Sequence, residues 1–191
     1  MGQLHILWDF DGTLFDTYPA YAEIIASVVG TSTNSAEAKE KLKVSFSHAA
    51  QYYQLTAEQL ADIDRLETGL FPVNTPPFAA VENVLRQAEI NLLVTHKPRQ
   101  GVLNTLLFYG FDRYFEEIIA ADDGFPRKPD PAAYAYMHDK YRVDLVIGDR
   151  AIDMIPARSL GIKTCLFQNT ASDADHHLRN YQDFQLIGLL D

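Results

Sequence analysis

The sequence is poor in cysteine and in long apolar runs. Cys165 is the only cysteine among 191 residues, so the chain can form no internal disulfide and no cluster of thiolate metal ligands. No apolar run approaches the roughly 20 residues that cross a bilayer. The N-terminus also lacks the basic segment and long apolar stretch of a signal peptide. These absences predict a cytoplasmic protein that does not contact membranes.

Basic residues are also scarce. The chain has 16 lysines and arginines against 26 acidic residues, which gives a net charge of -10. Such a balance argues against binding to nucleic acid or to an anionic membrane surface. It would also repel a phosphorylated substrate at long range, so a site for one needs local cations. The size and the lack of a coiled coil predict a monomer or weak homodimer.

The most informative segment present is Asp9-Phe10-Asp11-Gly12-Thr13. Its two carboxylates stand at i and i+2, where the apolar run Leu4–Trp8 ends in a glycine turn. One carboxylate in such a pair could attack an electrophile while the other moves a proton, and both could hold a hard cation. The pattern indicates phosphoryl-transfer chemistry.

Short apolar runs alternate with helical patterns along most of the chain. The strand candidates are Leu4–Trp8, Ile90–Thr95, Glu117–Ala121, Leu145–Gly148 and Ile162–Phe167. The helical segments that accompany the later runs are Pro77–Ala88, Pro98–Tyr109, Pro131–Tyr141 and Ile152–Leu160. Short, continuously apolar strands suit a parallel sheet covered on both faces. The pattern therefore predicts an α/β fold with a doubly wound parallel sheet.

The connection between the first two strands is too long for that scheme. It covers about 80 residues, whereas a βαβ crossover needs only about a dozen or more. The helical patterns that fill it are Asp16–Val29, Asn34–Val44, Phe46–Gln54 and Thr56–Leu70. We therefore predict a small helical domain over residues 16–76, inserted after the first strand. The α/β core domain is then formed by residues 1–15 and 77–191.

Polar residues follow three of the other predicted strands. Thr95 ends the second, Lys128 lies in the loop after the third, and Asp149 follows the fourth with Asp153 one helical turn later. Open α/β sheets bind ligands beyond the carboxyl ends of their strands. We expect these residues to converge there with Asp9 and Asp11.

With these motifs in this order, the chain resembles the haloacid dehalogenase superfamily of phosphohydrolases. Asp9–Thr13 resembles the first motif of that family and Leu92–Thr95 the second. Lys128, within Arg-Lys-Pro-Asp-Pro, resembles the third, and Gly148–Asp153 the fourth. The helical insertion is similar to the cap of the phosphoglycolate phosphatase and β-phosphoglucomutase branch. The resemblance implies a Rossmann-like core and a Mg²⁺-dependent phosphatase that acts on a small phosphorylated metabolite.

The resemblance also implies a role for each carboxylate of the motifs. Asp9 would attack phosphorus and form an aspartyl-phosphate, while Asp11 would serve as general acid and then general base. The side chain of Asp9, the backbone carbonyl of Asp11 and the side chain of Asp149 would bind Mg²⁺. Asp153 would act from outside this ligand set and orient a metal-bound water or Lys128.

The resemblance further implies that three residues bind the phosphoryl group. Thr95, the backbone N–H of His96 and the ammonium of Lys128 would hold its oxygens as charge redistributes among them. Three of the motif residues also have a plainer structural interpretation. Thr95 could cap the following helix, Lys128 could be a solvated loop lysine, and Asp149 could be a helix N-cap.

Two alternative functions remain open at this level. A phosphomutase of the β-phosphoglucomutase type would use the same residues and return the phosphoryl group to the product. A non-catalytic phospho-acceptor or binding protein, similar to response-regulator receivers, also places carboxylates, a hydroxyl and a lysine at strand ends. The neighbouring His176 and His177 suggest no metal site, because adjacent residues of a helix do not face one another.

Overall fold

The structure is a computed structural model in which residues 4–30 and 33–187 are described. These residues form two compact units. The helical unit is Asp16–Pro76, and the core unit comprises the described residues on either side of it. The predicted core domain also included residues 1–3 and 188–191, which lie outside the described residues. Within the described ranges, no helix combines the length and the hydropathy needed to cross a membrane.

The core unit is built on a six-stranded sheet with the order β3-β2-β1-β4-β5-β6. All five neighbouring pairs are parallel. The strands are β1 His5–Trp8, β2 Ile90–Val94, β3 Phe115–Ile119, β4 Leu145–Gly148, β5 Lys163–Phe167 and β6 His176–Leu178. The chain winds outward from β1 in both directions, which confirms the doubly wound fold. The order reverses between β1 and β4, where folds of this kind bind ligands.

Helices cover both faces of this sheet. They are α5 Val81–Gln87, α6 Arg99–Tyr109, α7 Ala132–Tyr141 and α8 Ala151–Ser159. Along β1, Ile6 and Trp8 pack in a cluster with α5 and α6, whereas Leu7 belongs to a second cluster with α7 and α8. Because successive strand residues point to opposite faces, a strand buried on both needs apolar residues throughout. This is why the strand patterns are continuous and do not alternate.

The core unit differs most from the prediction at two elements, and β3 also lies at Phe115–Ile119 where Glu117–Ala121 is predicted. The sixth strand was not predicted, because His176–Leu178 is short and carries no apolar run. His176 and His177 therefore lie on a strand and not on a helix. Helix α5 begins at Val81, four residues after the predicted Pro77. Pro77 instead forms an isolated bridge with Phe15, and Ala80 has a left-handed φ of 64° just before the helix.

The described residues of the helical unit form four α-helices. They are α1 Tyr18–Val29, α2 Ser35–Val44, α3 Phe46–Tyr52 and α4 Ala57–Thr68. The Asn34 side chain caps α2 by accepting the Glu37 N–H at 3.0 Å, and Thr56 and Gln59 form a capping box at the start of α4. Ile25 of α1 and Ile63 of α4 pack in one buried cluster. The unit therefore has its own apolar core.

Candidate active site

The loop that follows β1, Asp9–Phe15, places the first carboxylate at the centre of the sheet edge. Asp9 is only 2% exposed, and its N–H donates to the Ile147 carbonyl of β4 at 2.9 Å. Gly12 has a φ of +76°, a conformation that favours glycine, and its N–H donates to the Phe15 carbonyl. This turn brings the Thr13 hydroxyl back to within 3.4 Å of Asp9 Oδ2.

Lys128 is the cation at the centre of the site. Its Nζ donates to Asp9 Oδ1 at 2.6 Å, to Asp153 Oδ1 at 2.6 Å and to the Val94 carbonyl at 3.2 Å. An ammonium has three N–H groups, so these contacts engage all of them. The side chains of Lys128, Asp9 and Asp153 are at most 2% exposed. They form a buried ionic triad that joins three segments of the chain.

The charges of this triad shape one another's titration. Burial opposes the ionisation of Asp9, but the charges of Lys128 and Arg150 outweigh it and hold the pKa of Asp9 below its ordinary value. Burial, aided by the charge of Asp9, raises the pKa of Asp153. Burial alone would lower the pKa of Lys128, yet the two carboxylates raise it well above the ordinary lysine value. Asp9 is therefore an anion at neutral pH, and Lys128 is a cation.

The end of β4 supplies the next carboxylate. Asp149 is buried, its backbone carbonyl accepts a hydrogen bond from Asn169 Nδ2 at 2.7 Å, and its Oδ1 lies 3.7 Å from Arg150 Nε. A Cβ at Gly148 would lie 2.5 Å from the Cβ of Asp153, so no larger residue fits there without displacing that carboxylate. Gly148 therefore lets the carboxylate of Asp153 lie against the end of the strand.

Three buried carboxylates could hold a metal ion together. Oxygen atoms of Asp9, Asp149 and Asp153 all lie within 4.8 Å of one another. A compact set of carboxylate oxygens suits a hard cation such as Mg²⁺. The expected ligand set took its third oxygen from the backbone of Asp11, whereas the third carboxylate of this group belongs to Asp153. The donor chemistry of the site fits Mg²⁺ in either case.

Thr95 and His96 follow β2 on the other side of β1. Thr95 is buried, and its hydroxyl oxygen accepts the Lys97 N–H at 3.1 Å, which leaves the hydroxyl hydrogen to donate. The His96 Nε2 accepts the backbone N–H of Lys128 at 2.8 Å. Burial, together with the charges of Lys128 and Arg127, lowers the pKa of His96 to about 4. The imidazole is therefore neutral at physiological pH and can accept this hydrogen bond.

The sequence alone indicates no role for three of these side chains. The prediction for His96 concerns only its backbone N–H, and no prediction involves Arg150 or Asn169. Arg150 lies inside the fourth motif, between two residues that did receive roles. Asn169 stands two residues after β5 ends, and this position at the carboxyl end of a parallel strand is the signal in the sequence that points to it. Asp11, the remaining candidate, is half-buried two residues after Asp9.

The assembled groups can carry out an in-line displacement. They include a buried anionic carboxylate, a second carboxylate two residues later, an ammonium, a hydroxyl donor and a set of oxygen ligands for a divalent cation. This combination suits phosphoryl transfer, in which the protein mainly positions reactants and stabilises redistributed charge.

Comparison with known proteins matches this chain to one family of hydrolases. Residues 6–167 match the family model described as haloacid dehalogenase-like hydrolase. The chain is 25% identical over 192 residues to phosphoglycolate phosphatase of Vibrio cholerae, covering 82% of this chain and 80% of that protein. It is 33% identical over 92 residues to a plasmid-encoded phosphoglycolate phosphatase of Cupriavidus necator, covering 46% of this chain and 40% of that protein.

The fold is shared with solved structures. A haloacid dehalogenase-like protein from Agrobacterium tumefaciens superposes with a TM-score of 0.83 at 18% identity, covering 97% of each chain. At that identity the match concerns the fold alone.

Proposed function

Because this chain belongs to the haloacid dehalogenase-like hydrolases and is a phosphatase of that family, we propose that it hydrolyses a small phosphate monoester through Asp9. The observation that carries the proposal is the buried triad. Lys128 holds Asp9 in its anionic form at the carboxyl end of the central strand. A buried carboxylate that is kept ionised in this way can act as a nucleophile.

In the first half-reaction, an oxygen of Asp9 attacks phosphorus and the bond from phosphorus to the ester oxygen breaks. Asp11 gives its proton to the departing alkoxide, and the product is an aspartyl-phosphate on Asp9. All three Lys128 protons are engaged in the structure. Contact between Lys128 and a phosphoryl oxygen therefore requires it to exchange a present partner, most simply Asp9 once that carboxylate becomes esterified.

In the second half-reaction, Asp11 accepts a proton from water, whose oxygen attacks the phosphorus of the aspartyl-phosphate. The bond from phosphorus to the Asp9 oxygen breaks, which releases inorganic phosphate and restores the Asp9 carboxylate. We propose that the Thr95 hydroxyl and the His96 backbone N–H donate to the phosphoryl oxygens in both steps. Asp153 keeps Lys128 in place throughout.

We also propose that Mg²⁺ binds at Asp9 and Asp149, together with either the Asp11 carbonyl or the Asp153 carboxylate. When bound, it would offset the repulsion between the anionic nucleophile and the anionic substrate. The helical unit would act as the cap domain that selects the substrate. Because both relatives named above are phosphoglycolate phosphatases, phosphoglycolate is the first substrate to test.

A metal-removal assay tests the proposal. We expect the purified protein to release phosphate from p-nitrophenyl phosphate in the presence of Mg²⁺. EDTA should abolish the activity and excess Mg²⁺ should restore it, because the carboxylate site needs a hard cation. A panel headed by phosphoglycolate, with sugar phosphates and nucleotides, then ranks substrates by kcat/KM. Stable phosphorylation by acetyl phosphate without turnover would contradict the proposal and favour the phospho-acceptor alternative.

The hydrogen bond between His96 and Lys128 leads to a second prediction. In His96→Ala, the Lys128 N–H loses its acceptor and the loop that carries the ammonium loosens. Since one hydrogen bond contributes about 0.5–1.5 kcal/mol, we expect kcat to fall roughly two- to tenfold with little change in KM. His96→Asn, whose carbonyl can accept the same N–H, should recover part of the loss.

His138→Ala is the matched control for this measurement. The His138 ring also hydrogen-bonds a backbone carbonyl, that of Val143 at 3.1 Å, and the hydrogen bonds of Lys128 given above do not involve it. If His96→Ala and His138→Ala lower kcat equally, His96 has no positioning role.

A further inference from the structure

Tyr181 connects the last described segment to the loop that carries the nucleophile. It begins the 3₁₀ segment Tyr181–Ile187, which lies beyond residue 167, where the family match ends. Its side chain is buried, and its hydroxyl donates to the Thr13 carbonyl at 2.8 Å. The contact spans 168 residues of sequence. The mechanism proposed above makes no use of it.

The orientation of the Tyr181 ring is fixed by its neighbours. It stacks on Phe167 with ring centroids 4.3 Å apart and planes inclined by 11°. It also packs against Trp8, the residue before Asp9, at a centroid distance of 5.9 Å. Burial raises the pKa of Tyr181 well above its ordinary value, so the hydroxyl stays protonated and remains a donor. The hydroxyl is therefore aimed at the loop with little freedom to turn.

The Thr13 residue links this contact to the nucleophile. Its backbone carbonyl accepts from Tyr181, and its side-chain hydroxyl donates to Asp9 Oδ2. The next carbonyl, that of Leu14, accepts the Phe78 N–H at 3.0 Å. Two successive carbonyls of the loop are thus held from outside the loop. Loss of the Tyr181 hydroxyl would leave the buried Thr13 carbonyl without this donor, which favours a shift of the loop backbone.

We propose that Tyr181 is a positioning residue that sets the orientation of the Asp9 carboxylate through Thr13. The proposal rests on the proposed function of Asp9 as the nucleophile. Since an error of about 1 Å in the position of a reacting group can cost up to about a hundredfold in rate, even a small loop shift affects turnover.

A double-mutant cycle with Tyr181→Phe and Thr13→Val tests the proposal. Tyr181→Phe removes one hydroxyl and keeps the stacked ring, so the protein should remain folded. We expect it to lower kcat roughly tenfold with KM within about twofold, after correction for the folded fraction by circular dichroism. In the Thr13→Val background the same change should have almost no effect, because the link to Asp9 is already cut.

Two kinetic results would overturn the proposal. One is an unchanged kcat in Tyr181→Phe. The other is a pair of independent effects that multiply in the double variant, which is the behaviour of a merely structural residue. Tyr141→Phe, which removes a hydroxyl bonded to Glu117 at 2.7 Å, serves as the control and should keep the wild-type kcat.

Hydrogen–deuterium exchange separates this proposal from the proposed function. Peptides that cover residues 10–15 should exchange faster in Tyr181→Phe than in Tyr141→Phe, whether or not the wild type turns over a phosphate ester. Equal exchange in the two variants would overturn the role of Tyr181 in holding the loop. A wild type without turnover would overturn the proposed function alone.

Discussion

Replacing Asp9 with asparagine is expected to reduce phosphatase turnover by at least about a thousandfold, because the amide cannot form the covalent intermediate. The measurement is kcat on p-nitrophenyl phosphate at saturating Mg²⁺. Some stability should also be lost, because the lowered pKa of Asp9 means that its charge is favoured in the folded state, although Lys128 keeps its ion pair with Asp153. Thermal unfolding checks that second expectation.

Asp139→Asn is the matched control for the nucleophile. Asp139 is an exposed carboxylate on α7, and the same change of charge there should leave kcat as it is. An Asp9→Asn protein that is folded and retains a substantial part of the wild-type kcat would rule out Asp9 as the nucleophile.

Replacing Lys128 with methionine should cost both activity and stability. The change leaves Asp9 and Asp153, which are 2% and 0% exposed, without the cation that pairs with both. Removing one partner from a buried ion pair typically costs about 3–5 kcal/mol. Burial would then raise the pKa of Asp9 without the opposing charge of Lys128, so less of the nucleophile is ionised at neutral pH. Urea unfolding and the phosphatase assay measure the two losses.

Two control variants distinguish the effect of leaving buried carboxylates unpaired from the effect of removing any lysine. Lys140→Met removes a lysine that is 49% exposed and pairs with Glu117 at the surface, and it should barely alter the unfolding midpoint. Lys128→Met combined with Asp153→Asn removes one of the stranded charges and should recover part of the stability but no turnover. If Lys128→Met and Lys140→Met unfold at the same urea concentration, the buried triad does not stabilise the fold.

Much of the fold could be predicted because its elements depend on local patterns. The run Leu145–Gly148 is apolar throughout and forms β4 with those bounds, and Asn34, a residue type common at helix N-caps, begins the predicted pattern Asn34–Val44 and caps α2. The start of α5 could not be predicted from its proline, because the bridge between Phe15 and Pro77 overrides the local preference. Strand β6 has little pattern of its own, and its pairing with β5 decides its conformation.

The candidate site likewise has a part that could be predicted from the sequence and a part that could not. Residues that follow strands could be found, because a parallel sheet brings the ends of its strands together. The contacts among them could not. That Lys128 bonds both Asp9 and Asp153, or that the His96 ring accepts the Lys128 N–H, depends on side-chain geometry across more than 20 residues of sequence. Tyr181 lies still farther from its partner and carries no motif.

The isolated bridge between Phe15 and Pro77 has a consequence for how such a protein can diversify. The chain leaves the core at one of these residues and returns at the other, side by side, and inside the helical unit the Asp16 N–H donates to the Pro76 carbonyl at 2.8 Å. Because these two points are already adjacent, the segment between them can lengthen, shorten or be exchanged without altering the spacing of the strands. Natural selection can therefore change the segment that follows the Asp9–Phe15 loop while the carboxylates of the core unit are inherited intact.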